Sequence, residues 1–136
     1  DEAPQPITLG DWSCVTGKAF SGSGMYETRS ALPENDFGDC ILDLGDVHYT
    51  AEVYLNGKAL GKKVMPPYRY NVKRADFATE NTVQIIVKNA PGNAYYYTKS
   101  FDKWPAWMLS PYFQTERRFD EETLASGLYG SVKIFY

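Results

Sequence analysis

Asp43 and Asp46 flank Gly45, the chain's single histidine follows at His48, and Glu52 comes four residues later. Hydrolysis of a glycosidic bond needs two carboxyl groups about 5–9 Å apart, on either side of the sugar. A nucleophilic triad or a histidine-based metal site would have to recruit His48. The local patterns give these residues other work. Asp43 and Asp46 bracket a glycine in the manner of a turn, and Glu52 falls on the polar face of an alternating segment. His48 sits between Val47 and Tyr49 with no nucleophile motif nearby. The Gly-Ser-Gly at 22–24 could cradle a phosphate only if a helix followed it. Residues 25–32, with Tyr26 and Thr28, favour a strand instead, so Gly17, Gly22 and Gly24 read as turn residues. No catalytic residue is assigned.

Binding chemistry has more to draw on. The chain holds 11 Tyr and 3 Trp, and Tyr95, Tyr96, Tyr97, Trp104 and Trp107 crowd into residues 94–123. Pro105 and Pro111 interrupt that stretch, which predicts a long irregular excursion of the kind that often carries function. Aromatic rings offer apolar faces with polar edges, and such faces stack on sugar rings. Planar polar groups such as Arg69, Asn89, Asn93 and Gln114 can fork onto hydroxyls. The candidate carbohydrate-binding set is therefore Tyr95, Tyr96, Tyr97, Trp104, Trp107, Arg69 and Asn93. The same composition suits a surface that docks on a neighbouring domain, because interfaces also favour Tyr, Trp and Arg.

Composition narrows the field. A chain of 136 residues suits one domain, with residues 1–6 as a flexible, Pro-rich tether and 7–136 as the folded unit. The net charge of −3, with both signs interspersed, offers no basic footprint for nucleic acid, and no apolar run is long enough to span a bilayer. Two cysteines, Cys14 and Cys40, stand outside any Cys/His cluster, so no metal site is assigned. They read as buried free thiols, with a bridge between them as the alternative.

The elements that must position these residues are strands. From Val47 to Leu55 apolar and polar residues alternate with period two, and Asn56-Gly57 follows, the pair a type I′ hairpin turn requires. Residues 58–64 form the returning strand. Further strands are expected at 25–32, 40–44, 68–72, 82–88, 114–119 and 131–136, with residues 7–9 short and β-prone. Residues 89–93 and 126–130 read as turns or loops, residues 73–79 as at most one helical turn, and Trp12 as an anchor over one end of the core. About eight strands without a substantial helix make an all-β, antiparallel two-sheet sandwich. Periodicity leaves immunoglobulin and jelly-roll topologies both open.

ILDLGDVHYTAEVYLNGKALG, at 41–61, resembles the core hairpin of the sugar-binding jelly-roll domain of glycoside hydrolase family 2 and its relatives. FSGSGMYET at 20–28, ENTVQIIVKN at 80–89 and SGLYGSVKIFY at 126–136 are similar to flanking strands of that domain, in the same order. Residues 101–136 look closest to the C-terminal end of the α-L-rhamnosidases of glycoside hydrolase family 106. The resemblance implies a galactose-binding-domain-like jelly roll. It also implies a non-catalytic role, since in such enzymes the catalytic acids sit in a separate barrel domain. Its partners would be glycan, the catalytic domain of a parent enzyme, or both, with neither nucleic acid nor membrane. A periplasmic or extracellular location follows by association. No cofactor is implied, although related jelly rolls leave room for a structural calcium ion.

Overall fold

The computed structural model describes residues 3–31, 37–98 and 124–136. Expectations that fall on 32–36 and 99–123, including Trp104, Trp107, Gln114 and the strand at 114–119, lie outside the described residues. Among the described residues the strands are β1 (Gly10–Asp11), β2 (Ser23–Ala31), β3 (Cys40–Asp43), β4 (Asp46–His48) and β5 (Thr50–Leu55), then β6 (Lys58–Lys63), β7 (Arg69–Val72), β8 (Glu80–Lys88), β9 (Gly127–Gly130) and β10 (Lys133–Phe135). Two short helices, α1 (Ser13–Thr16) and α2 (Gly92–Tyr97), and a 3-10 turn at Arg74–Asp76 complete them.

One layer is the four-stranded sheet β2-β8-β5-β6. The other combines two three-stranded sheets, β1-β9-β4 and β10-β3-β7, which share one bent ribbon. Asp43 lies opposite Lys133 and Asp46 opposite Gly130, so the register of β3 on β10 runs straight into that of β4 on β9 before shifting after Asp46. At the bend the two backbones touch. A Cβ on Gly45 would lie 2.6 Å from the Gly130 carbonyl, and both glycines adopt positive φ, 67° and 76°. Side chains are excluded there on both grounds. Every pairing is antiparallel, and the chain passes repeatedly between layers, which makes the all-β jelly-roll sandwich the sequence predicts.

The segment read as one strand from Val47 to Leu55 is two. β4 pairs with β9 in one layer and β5 with β6 and β8 in the other. The alternation survives because both halves face one core, so Val47, Ala51, Val53 and Leu55 are all buried. Asn56 and Gly57 make the expected turn with φ of 51° and 80°. Asn56 also accepts from Thr82 N and donates to Asn81 Oδ1, both at 2.9 Å, tying the hairpin tip to β8. Core residues from the other strands include Leu42, Leu44, Tyr70, Val72, Ile85, Val87 and Leu128. Each full burial of such an aliphatic side chain is worth about 1.5–3 kcal/mol.

Three local expectations change. Residues 7–9 form no strand, while Gly10-Asp11 pairs with β9 as β1. Residues 127–130 are strand rather than turn. Gly24 is inside β2, not in a turn, because the ring of Trp12 lies directly on it, stacked on Tyr26 at 6.1 Å. Trp12 is buried in the core as the anchor expected of it.

Tyr68 and Tyr70, at the start of the β7 segment, reach across to the crossing chain. The Tyr68 hydroxyl donates to Tyr49 O, and the Tyr70 hydroxyl to Ala51 O at 2.8 Å. Burial above all, then the nearby Tyr68 and Glu52, pushes the Tyr70 hydroxyl up to about 12. An unfolded tyrosine ionises near pH 10, so the folded state keeps this proton longer, and the stability it supplies is whole below pH 10 and is lost as pH rises toward 12. Urea titrations across that window should show stability falling, and Tyr70→Phe should flatten part of the slope. Gly45→Ala should cost more than about 2 kcal/mol at neutral pH, measured in the same assay.

Candidate functional site

Asn89 follows β8 directly and ends the ladder with side-chain bonds. Its Nδ2 donates to Phe20 O at 2.8 Å and to Ser126 Oγ at 2.9 Å, and its Oδ1 accepts from Gly22 N at 2.9 Å. Pro91 then sets the first turn of α2, and Asn93 points inward from it. Asn93 Nδ2 donates to Leu124 O at 2.7 Å and to Ser126 Oγ at 3.0 Å. A carbonyl can only accept, so Leu124 O fixes which end of the amide faces it. The other end, Asn93 Oδ1, is buried without a donor, in a residue only 2% exposed. An acceptor left in that state costs about 1–3 kcal/mol.

Asn93 lines a concavity of about 80 Å³ together with Asp11, Ser13, Lys18, Tyr97 and Leu124. Asp11 Oδ1 accepts from Ser13 N at 2.8 Å, which holds the carboxylate at the start of α1. Lys18 Nζ stands 5.7 Å from the centre of the Tyr97 ring, and Tyr96 meets Tyr97 edge-on at 4.9 Å. Tyr95 is exposed on the same helix. A carboxylate, an ammonium group and an aromatic ring thus border a hollow of a few water molecules' volume.

Tyr95, Tyr96 and Tyr97 thus lie on a helix, not in the loop expected of them. Asn93 is not a surface fork either, because its amide nitrogen is spent inside the fold and Oδ1 alone is left over. Arg69 is elsewhere, on β7. Its Nε donates to Asp43 Oδ2 at 2.7 Å, and it lines a second cleft with Lys62, Lys63, Tyr70 and Asn71. Asp11, Lys18 and Ser126 were not singled out in the sequence, where nothing marks residues so far apart as neighbours.

The carboxylates considered for chemistry have structural partners. Arg69, then the Gly45 N–H at 2.9 Å, holds the Asp43 carboxyl below the usual carboxylate range. Asp46 approaches His48 Nε2 at 3.4 Å, and Glu52 Oε1 accepts from the Tyr54 hydroxyl at 2.6 Å. Cys14 is exposed on α1 and Cys40 buried in β3, both as free thiols, so the bridge is not formed and only Cys40 is the buried thiol expected.

No family model matches the chain. It is 30% identical over a 155-residue alignment to a protein of Formosa agariphila provisionally named a β-glucuronidase, covering 93% of this chain and 13% of that protein. A rhamnosidase from Novosphingobium sp. PP1Y superposes with a TM-score of 0.61 at 26% identity, over 87% of this chain and 11% of the other. The chain is similar, nearly end to end, to one segment of large glycoside hydrolases. A calcium-binding mutant of Bacteroides uniformis β-glucuronidase 2 shares the fold, with a TM-score of 0.52 at 21% identity over 83% of this chain and 12% of that one. The Formosa and Novosphingobium matches support a glycoside-hydrolase-associated domain, and the chain spans little more than a tenth of those relatives.

The amide network carries its own expectation. Asn93→Ala leaves Leu124 O with only the 3.3 Å bond from Ser126 Oγ, while also removing the unpaired Oδ1, and should destabilise the fold by about 1 kcal/mol in urea denaturation.

Proposed function

We propose that the chain is a non-catalytic carbohydrate-binding domain of a rhamnosidase-like glycoside hydrolase, and that it meets glycan at the α2 end of the sandwich. The observation that carries this reading is the hollow at the α2 end where Asp11, Lys18 and Asn93 meet the Tyr97 ring. In this reading Asp11 and Lys18 meet sugar hydroxyls at the mouth of the hollow while the tyrosine faces of α2 lie against the ring. The likeness to the Novosphingobium rhamnosidase supports the choice of parent, and the Formosa relative supports a glycosidase more broadly. A periplasmic or extracellular location belongs to the same reading, and fractionation of the producing cells checks it.

A second reading has an observation of its own. Ile41 and Phe135 are opposite one another on β3 and β10, 38% and 50% exposed, and form an apolar pair suited to docking on a catalytic domain.

Titration calorimetry of the folded chain with rhamnose- and galactose-containing oligosaccharides separates the two. Heat that weakens about tenfold in Tyr97→Ala, a loss of about 1.4 kcal/mol, is the result expected for glycan binding. Heat with none of these sugars, alongside binding to a separately produced catalytic portion that Ile41→Asp abolishes, would leave the docking role alone.

A further inference from the structure

We propose that the cleft between the edges of β6 and β7 is an anion subsite, which takes the carboxylate or sulfate group of an acidic saccharide. Among the described residues β6 is the outer strand of one layer and β7 the outer strand of the other, joined through residues 64–68, and the cleft opens between these two edges. Its volume is about 270 Å³, just under the roughly 300 Å³ at which small-molecule pockets usually begin. That suits one charged sugar unit better than a length of polymer.

Among the described residues three cations line it, Lys62, Lys63 and Arg69, and none of the lining residues is acidic. The concentration is local, since the whole chain carries a net charge of −3. Asp43 offsets part of it by accepting from Arg69 Nε. Glu52 lies opposite Lys62 in the ladder, where its Oε1 accepts from the Tyr54 hydroxyl. Arg69 keeps its two terminal nitrogens beyond the Asp43 bond, and a guanidinium fork fits the paired oxygens of a carboxylate or sulfate.

The floor of the cleft is rigid. Tyr70 is buried, its hydroxyl is tied to Ala51 O, and Lys63 Nζ stands 5.9 Å from the centre of its ring. Gly61 contributes bare backbone, with open space where a side chain would stand, so a ligand can approach the strand closely. Asn71 adds an exposed amide for a neutral hydroxyl. Lysines on an edge strand also deter sheet-to-sheet aggregation. That duty does not call for a hollow shared with Arg69 of the other layer.

The test titrates the whole chain with three saccharides of matched size, one bearing a uronic acid, one a sulfate ester and one neutral. It compares the wild type with Lys62→Gln/Lys63→Gln and with Arg69→Lys. The expected result is binding of one or both acidic saccharides that weakens at least tenfold in the double variant and with added salt, and that Arg69→Lys weakens despite keeping the charge. Which acidic saccharide binds names the group. Equal affinity for acidic and neutral sugars, or acid binding untouched by the double variant, overturns the proposal, as does aggregation of the double variant as its sole phenotype in light scattering. The subsite is independent of the α2 reading, because loss of neutral-sugar binding in Tyr97→Ala reports on that surface alone.

Discussion

The backbone of Gly45 lies against the backbone of Gly130, and the second layer of the sandwich depends on that contact. It lets one antiparallel ribbon bend while keeping its register, so β3 and β10 pair with β7 on one side while β4 and β9 reach β1 on the other. Any side chain at the bend would separate the two strands just where they must touch. The same bend brings the start of β9, with Ser126 before it, beneath the end of β8. There Ser126 Oγ receives hydrogen bonds from both Asn89 and Asn93.

Among the described residues the buried polar atoms without a partner are Trp12 Nε1, His48 Nδ1 and Asn93 Oδ1, and the other asparagines set the contrast for the last. Asn89 uses both ends of its amide, Asn56 does the same at the hairpin tip, and Asn81 Oδ1 accepts from both Asn56 and Ala78. Asn93 uses one end only. A buried acceptor without a donor is costly, and among these asparagines it falls at the one that lines a concavity beside an aromatic ring. The sandwich core supplies the stability against which such a cost is borne, and the relatives, far longer chains, carry a domain of this kind alongside much else.

The two hollows differ in chemistry because they differ in position. The one at α2 lies where a helix caps the end of the sandwich, and it gathers an asparagine, a carboxylate, a lysine and a tyrosine. The one between β6 and β7 lies between two edges of the described sheets, and there Lys63 stands over the buried ring of Tyr70 beside Lys62 and Arg69. Both occur on one small domain without sharing a residue.

Local chemistry was legible in the chain itself. Period-two alternation shows which face of each strand is apolar, and Asn56-Gly57 dictates a tight turn because its backbone needs positive φ, so the all-β class and the central hairpin follow directly. What the sequence could not determine was set by contacts between distant residues. Alternation looks the same whether a strand stays in its sheet or crosses to the next, so the break at Tyr49 was invisible. A glycine beneath Trp12 reads like a glycine in a turn, and an asparagine that caps a buried network reads like one that faces solvent. Only the closed sandwich, by placing residues 11, 18, 93 and 124 around one hollow and residues 62, 63 and 69 around another, decides which side chains meet a common ligand.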